Sequence, residues 1–309
     1  MRNNMLALAF TTALSFSPLA LPMDYIAAEA APVVGTSAAV RGQVFVSTNG
    51  AERKAEIKQS IQLQDSVTTK QDSALQILLL DQSTFTVGQN CNMVIDRFVY
   101  DPSNNGGEIG ATITKGAFRF MSGNIGKTNP TSASISTPSA TIGIRGTFFE
   151  GIVGGDAIAL AQLGGINTAG ANSNNASIII LRGPGPKSNT LDKIGALQIS
   201  TAGGSSSIST PNYAVFDSGN GNPPTRPFKV TPEMQEYLDF FLRSQPDGPS
   251  EEPLPIGEDV ENASGQDKFE TPVIVTEDVF EELIDGIQDS LTEEYCSGGY
   301  FGDNCNPSS

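Results

Sequence analysis

The stretch that decides the fold is Ser136-Thr-Pro-Ser-Ala-Thr-Ile-Gly-Ile-Arg-Gly-Thr-Phe148. Pro138 has a fixed φ and no N–H to donate, so a new strand is predicted to begin just after it. Ile142 and Ile144 point to one side of that strand and alternate with residues that point to the other. The pattern therefore predicts a turn followed by a strand with one buried face.

Three residues of this stretch suggest contacts beyond the strand itself. Gly143 and Gly146 flank the Ile-Arg pair and leave no side chain where another backbone could press close. Arg145 lies on an apolar strand, so its guanidinium is expected to find carbonyl or carboxylate partners. Two interpretations stay open. Arg145 either ties neighbouring loops together, which we favour, or contacts an anion or ligand.

The same stretch resembles the signature that closes FecR domains, "TP-x-A-x-hydrophobic-G-hydrophobic-RGT". The resemblance implies a structural role for the matching residues, which are Thr137, Pro138, Gly143, Arg145, Gly146 and Thr147. Upstream stretches resemble further motifs of the family in the family's order, and these are Asp65–Thr69, Ser73–Ile77, Leu80–Val87 and Gly116–Gly123. Gln64 and Gln82 replace the Gly that is usual in the family, which places two tight turns in question. The resemblance runs from about Gly42 to Phe149.

Composition bounds the fold and the function. The chain has 309 residues, 32 of them Gly, and only 17% are charged, which predicts short strands and turns in one large or two ordinary domains. A net charge of −16 argues against nucleic acid and anionic lipid as partners. The sequence has no His, which removes Ser-His and Cys-His nucleophile systems and His-ligated metals. We predict no cofactor and no metal.

The first 30 residues are typical of a secretory signal peptide. Arg2 is followed by an apolar run too short to span a bilayer well, and Ala28-Glu29-Ala30 offers small residues for cleavage. An uncleaved N-terminal anchor is the alternative. No later segment reaches the ~20 apolar residues of a membrane helix. We therefore expect an exported protein, periplasmic or at the surface of a Gram-negative cell, with no membrane span in the mature chain.

Two β-rich segments are predicted after the signal peptide. Residues 36–150 form the FecR-like domain, and residues 151–228 form a second β segment packed on it. Short alternating strands between turns are typical of an all-β fold, either a short-strand sandwich or a β-solenoid-like domain. Asp96, Asp101 and Asn104-Asn105 could be taken for a calcium site, but loop capping explains them better.

Helical signals begin near the C-terminal end, on either side of an acidic linker. A helix is predicted over 229–244, because Thr231-Pro232-Glu233 provides a cap, a first-turn Pro and an acid. Docking on the β domain is its expected role, and partner binding is the alternative. Residues 245–271 read as a disordered acidic linker.

Residues 272–309 combine a second helix with a closed tail. The helix has an acidic face and an apolar stripe that makes it the best partner-binding candidate, formed by Phe280, Leu283, Ile284, Ile287 and Leu291. Docking on the chain's own domain is the alternative. Cys296 and Cys305 have the spacing of the final loop of an EGF-like module, and this resemblance implies one disulfide between them. Cys91 is then left over as a buried thiol.

These features favour a non-catalytic exported FecR-domain protein that acts as a binding, scaffold or signal-relay module. In iron-uptake regulators, as the resemblance implies, this domain is the periplasmic part of a membrane-spanning protein that relays a receptor signal to a sigma factor. We expect a stand-alone form here, with an envelope protein or glycan as partner. The alternative is a carboxylate-based glycan-acting enzyme, although its nearest acids form no paired motif, namely Asp65, Asp81, Asp96 and Glu150.

Overall fold

The computed structural model describes residues 31–128, 132–183 and 195–242, and strands predominate in them. The strands of the described residues, in chain order, are β1 (Val33–Arg41), β2 (Val44–Thr48), β3 (Ala51–Lys54), β4 (Ser60–Gln62), β5 (Ser66–Thr69), β6 (Ala74–Leu79), β7 (Thr84–Val87), β8 (Asn92–Asp101), β9 (Gly106–Met121), β10 (Ala133–Ser136), β11 (Ala140–Arg145), β12 (Phe148–Val153), β13 (Ser177–Gly183), β14 (Ala196–Thr201), β15 (Gly204–Ile208), β16 (Tyr213–Asp217) and β17 (Phe228–Lys229). The helices are α1 (Asn124–Thr128), α2 (Gly155–Leu163) and α3 (Pro232–Leu242). The prediction of a fold made mostly of short strands is confirmed.

The strands pair in two sets that share β9. Sheet I has the order β4-β1-β6-β7-β9-β12-β13-β16-β17. Sheet II has the order β3-β2-β5-β8-β9-β10-β11-β14-β15. Among the pairings of the described strands, only β9 with β10 is parallel. Half of these pairings join strands that are not consecutive in the chain, so contacts distant in sequence help to build both sheets.

β9 joins the two sheets because it bends at Gly116. Residues before Gly116 pair with β8 in sheet II, and residues from Gly116 onward pair with β12 in sheet I. Gly116 has a φ of 90°, and a Cβ there would lie 2.4 Å from the Cα of Cys91. Only glycine fits such a position. Cys91 itself is a fully buried free thiol, as predicted, and burial raises its pKa.

One hydrophobic core contains the inward side chains of both sheets, as the layers of a sandwich do. A second core lies on the opposite face of sheet I, beneath α2 and α3. β13 contributes to both, since Ile179 and Leu181 enter the shared core and Ile178 and Ile180 enter the helix-covered one. A strand that is apolar on both faces is thereby explained.

The segment after Phe149 differs from the prediction at its start. Residues 155–163 form α2, not a strand as the proposed second β segment implied. Its Ala- and Leu-rich sequence favours a helix, and Asp156 lies in the first turn, where an acid stabilises the helix dipole. The later strands extend the existing sheets, because β13 pairs with β12 and β14 pairs with β11.

The two turns in question keep a conformation that favours glycine. Gln64 and Gln82 have φ values of 69° and 68°. A left-handed conformation costs a residue with a Cβ about 1–2 kcal/mol. The turns therefore form despite the missing glycines, at the expense of local backbone strain.

Replacing Gln82 by Gly is expected to stabilise the protein. Gly relieves the backbone strain of the left-handed conformation but increases the conformational entropy of the unfolded chain. The strain energy is the larger of the two free-energy terms by about 0.5 kcal/mol. Gln198 is an exposed strand residue and is the matched control, because Gln198→Gly is expected to destabilise by about 0.5–1 kcal/mol. Urea unfolding measures both, and a loss of stability in Gln82→Gly would contradict the strain argument.

Candidate functional site

The signature segment closes a turn between β10 and β11. The Ala140 N–H donates to the Thr137 hydroxyl oxygen at 3.1 Å, and the Thr137 N–H donates to the Ala140 carbonyl at 2.8 Å. Pro138 lies exposed at the tip, as a residue without an N–H can. The Ser139 hydroxyl contacts the Asn175 carbonyl oxygen at 2.7 Å and also the buried carboxylate of Asp217. The turn is thus fastened to the loops beside β13 and β16.

Thr147 ties the end of the signature to β13 and to Ser122, the residue that follows β9. Its hydroxyl donates to the Gly183 carbonyl at 2.9 Å, and its N–H donates to the Ser122 hydroxyl at 3.1 Å. Gly146 before it has a φ of 47°. A Cβ on Gly195 would lie 2.3 Å from the Cβ of Thr147, so the backbone approaches closely here. These contacts give Thr147, Gly146 and Gly195 a structural role, because they hold the end of the signature against neighbouring backbone.

Gly143 and Arg145 do not have the contacts that the sequence suggested. A Cβ on Gly143 would meet only Gln198, at 3.8 Å or more, so no backbone presses close and that expectation is wrong. Arg145 is exposed on the outer face of sheet II, opposite Ala196. Among the described residues no ion pair involves Arg145. The reason is the strand alternation, which puts Arg145 in water and not against the core.

A buried carboxylate lies where three strands of sheet I meet. Glu150 on β12 is directly opposite Arg119 on β9, and the next strand, β13, supplies Arg182. The Arg119 Nε donates to the Glu150 Oε1 at 2.7 Å, and the Arg182 Nε lies 2.7 Å from the Oε2. The Glu150 side chain is 1% exposed, so its charge is held inside by the two guanidinium groups.

α3 adds a second carboxylate to this arrangement. Asp239 approaches both Arg119 and Arg182 at 3.9 Å, and its side chain is 47% exposed. We call Arg119, Glu150, Arg182 and Asp239 the ion cluster. Its formal charges cancel, and it links three neighbouring strands to α3.

α3 is held on sheet I by apolar contacts as well. Met234, Leu238 and Leu242 are buried in the second core, and the Met234 N–H donates to the Thr231 hydroxyl at 3.3 Å at the start of the helix. At the other end, the Gln89 N–H donates to the Phe241 carbonyl at 3.1 Å. α3 therefore fixes the position of Leu242, which precedes residues 243–309 in the chain, and we call it the α3 anchor.

The α3 anchor also touches α2 through a tyrosine. The Tyr237 hydroxyl donates to Asp156 at 3.3 Å, and burial together with the Asp156 charge raises the pKa of Tyr237 to about 12. Absorbance titration near 295 nm is expected to show one tyrosine ionising near pH 12 and to lose that step in Tyr237→Phe. Because the unfolded phenol ionises near pH 10, stability from this contact is present below about pH 10 and is lost as the pH rises toward 12. The same titration step surviving in Tyr237→Phe would contradict the assignment.

The other acids named from the sequence are each engaged by donors of the fold. Asp65 accepts from the Gln62 N–H at 2.9 Å and pairs with Arg53 at 3.0 Å. Asp96 accepts from the Thr112 hydroxyl at 2.6 Å. Burial raises the pKa of Asp81, while hydrogen bonds from Ser83 and Ile125 oppose that shift. These carboxylates stabilise turns and strand pairs.

The loop that could have been taken for a calcium site is capped from within. Asp101 accepts from the Ser103 N–H at 3.0 Å and from the Asn104 amide at 2.8 Å. Its oxygens are used by its own turn, which is the pattern of an Asx turn. Loop capping is thus what the geometry supports.

The partner-binding stripe and the predicted disulfide lie outside the described residues. These are Phe280, Leu283, Ile284, Ile287 and Leu291, and Cys296 with Cys305. They stay predictions. None of the helices in the described part of the chain is long and apolar enough to cross a membrane.

A comparison with protein families finds one match, over residues 65–165, to the family described as FecR protein. Residues 65–165 are a FecR domain. The match begins at Asp65, the first residue of the first quoted motif, and it ends just after α2. It contains both the signature turn and two members of the ion cluster, Arg119 and Glu150. The FecR domain is thus the framework on which the α3 anchor packs.

Solved structures give a weaker comparison. Two crystal structures of a candidate anti-sigma factor from Parabacteroides distasonis ATCC 8503, at 2.50 and 1.65 Å resolution, align with TM-scores of 0.34 and 0.33 at 9% identity. Each alignment covers 53% of this chain and 59% of the other, so the chain spans little more than half the length of that protein. Likeness at this level carries no argument about function. No curated protein matches the chain.

Sequence reasoning found Arg119 only as a motif residue and missed the ion cluster around it. Glu150, Arg182 and Asp239 are far apart in the chain and meet only through strand pairing and helix docking. The available signal was a charged residue in each of two otherwise apolar strands, β12 and β13. Such residues need a partner of opposite charge.

Proposed function

We propose that this protein is an exported, non-catalytic FecR-domain protein that relays a signal by binding an envelope protein. The observation that carries the proposal is the FecR match over residues 65–165, because FecR proteins are regulatory. The contacts of the motif residues agree with this proposed role. Thr147 and Arg119 contact other strands and Thr137 closes the signature turn, which supports a scaffold that presents other surfaces to its partner.

The partner-binding element in this proposal is the segment 277–291, which follows the α3 anchor in the chain. Its stripe from Phe280 to Leu291 repeats at helical spacing beside acidic residues. An amphipathic helix with such a stripe fits an apolar groove on a partner. The α3 anchor supports the proposal because it fixes where the tail starts on the FecR domain.

Photo-crosslinking in intact cells tests this role. A photoreactive residue at Leu283, on the stripe, is expected to give a discrete crosslinked protein. The same residue at Glu282, on the acidic side, is the matched control and is expected to give far less. Equal yields at the two positions, or none at Leu283, would contradict a stripe-mediated complex.

Export is part of the proposal and has its own test. If the signal peptide is removed after Ala30, the purified periplasmic protein is expected to begin at Ala31. Intact-mass measurement and N-terminal sequencing read this directly. A protein that retains Met1 in the membrane fraction would support the anchor alternative.

A further inference from the structure

The charge of this chain is divided unevenly along its length. Of the 34 acidic residues, 17 lie in residues 243–309, together with only two of the 18 basic ones. Residues 31–242 contain 15 residues of each sign. The excess negative charge is thus almost entirely in the tail that follows the α3 anchor. A tail of this kind is attracted to any basic surface within its reach.

The two sheets differ in how their outer faces are covered. α2 and α3 cover the part of the outer face of sheet I that β9, β12, β13 and β16 form. In the described residues no helix of that core packs on the outer face of sheet II, whose outward side chains remain partly or fully exposed along β2, β5 and β8. The outer face of sheet II is thus a surface that neither α2 nor α3 covers.

One end of this surface combines an aromatic ring with two lysines. Phe45 on β2 faces outward, opposite Lys54 on β3 and Thr68 on β5. The Lys70 ammonium lies 5.9 Å from the centre of the Phe45 ring. Lys54 and Lys70 are exposed, and neither forms an ion pair with a described carboxylate. We call Phe45, Lys54 and Lys70 the lysine–phenylalanine patch.

We propose that residues 277–291 of the same chain dock on the lysine–phenylalanine patch and hold the tail on its own domain. The charges are complementary, because Glu277 and Glu281 border the apolar stripe at helical spacing. The ring of Phe45 supplies apolar surface beside the Lys70 ammonium. Carboxylates face lysines while the stripe meets the aromatic ring.

The length of the connecting chain permits this contact. Residues 243–276 separate the α3 anchor from the segment, and a random coil of that length would span on the order of 30 Å on average. That distance is about the diameter of a small domain. The intramolecular arrangement also raises the effective concentration of the segment at the patch.

This contact would regulate the binding of an envelope partner. That consequence rests on the proposed function. The stripe cannot contact the patch and an envelope partner at once. A partner must therefore displace the segment from its own domain. Because the partner binds only the undocked fraction, docking lowers its apparent affinity in proportion to that fraction.

Limited proteolysis of the mature protein tests the docking. A Glu-specific protease cuts in residues 277–294 only when the tail is free. The double variant Lys54→Glu/Lys70→Glu is expected to be cut about tenfold faster than the parent, since two attractive contacts become repulsive. The control is Arg226→Glu/Lys229→Glu, which makes the same change in net charge elsewhere and is expected to leave the rate unchanged.

Salt and dilution complete the test. At about 1 M salt, where screening reduces the range of charges to about 3 Å, the parent is expected to be cut as fast as the Lys54→Glu/Lys70→Glu variant. Equal rates for all three proteins at low salt would overturn the proposal. So would a cutting rate that rises on dilution, because it would place the tail on a second copy. The photo-crosslink at Leu283 reports binding of the envelope partner separately. The docking of the tail and the binding of a partner can therefore each be refuted without the other.

Discussion

Replacing Glu150 by alanine is expected to lower the free energy of unfolding by about 3–5 kcal/mol. The carboxylate is 1% exposed and lies within 2.7 Å of guanidinium nitrogens of both Arg119 and Arg182. Its removal leaves two positive charges near each other, with side chains only 19% and 9% exposed. The loss is large because these charges keep their desolvation penalty without their partner.

Chemical denaturation measures this loss of stability. Two further variants test whether the loss comes from the buried charge of Glu150. Glu150→Gln keeps the shape and removes the charge, so it is expected to lose a large part of the same stability. Glu108→Ala removes the carboxylate of an exposed pair with Arg97 and is expected to cost less than about 1 kcal/mol. If Glu150→Ala costs no more than Glu108→Ala, the ion cluster does not stabilise the FecR framework.

The second large effect is expected at Gly123, between β9 and α1. A Cβ there would lie 2.2 Å from the Asp81 carbonyl oxygen and 2.3 Å from the Ser83 nitrogen. Both are backbone atoms of a turn that is itself fastened by the Gly123 N–H, which donates to the Ser83 hydroxyl at 2.9 Å. Because neither atom can rotate away, Gly123→Ala is expected to destabilise by about 3 kcal/mol.

Gly143 is the matched control for this substitution. It belongs to the family signature, but a Cβ there meets only Gln198 at ordinary contact distance. Gly143→Ala is expected to change stability by less than about 0.5 kcal/mol, or to raise it slightly, since alanine reduces the freedom of the unfolded chain. Thermal unfolding of the two variants compares their stabilities. Equal losses of stability would contradict the argument that the close approach of backbone atoms makes Gly123 irreplaceable.

Local patterns predicted much of the fold. The alternation of Ile142 and Ile144 with outward residues predicted the strand that forms β11. The Thr231-Pro232 start placed α3. Such patterns are sufficient where a strand or helix exposes one face to water and the other to the core. They failed at α2, where composition typical of the surrounding β segment masked a short helix.

The candidate site was less predictable because its contacts are long-range. Arg119, Glu150 and Arg182 meet only once β9, β12 and β13 are paired in register, and Asp239 joins them only when α3 docks. No single stretch contains that information. Arg145, by contrast, was singled out by its motif, yet its strand position puts it in water. A motif marks residues that matter to a family, and strand register decides which of them are buried.

The strained turns show another limit of sequence reasoning. Gln64 lacks the glycine usual at its position, and the sequence alone could not say whether the turn persists. The structure retains the positive φ there, and the Gln64 side chain donates to the Asp96 carbonyl at 2.8 Å. Tertiary contacts therefore impose a conformation that the local sequence disfavours.

The most direct test of the account is to capture binding partners from an envelope extract. The mature protein is compared with a form ending at Ser244, which retains the α3 anchor and every described strand. Circular dichroism and thermal unfolding first establish that the shortened form is folded. The account predicts that the mature protein captures a specific envelope protein and that the shortened form does not. Capture of the same protein by both forms would place the binding surface on the β domain and contradict the role given to the tail.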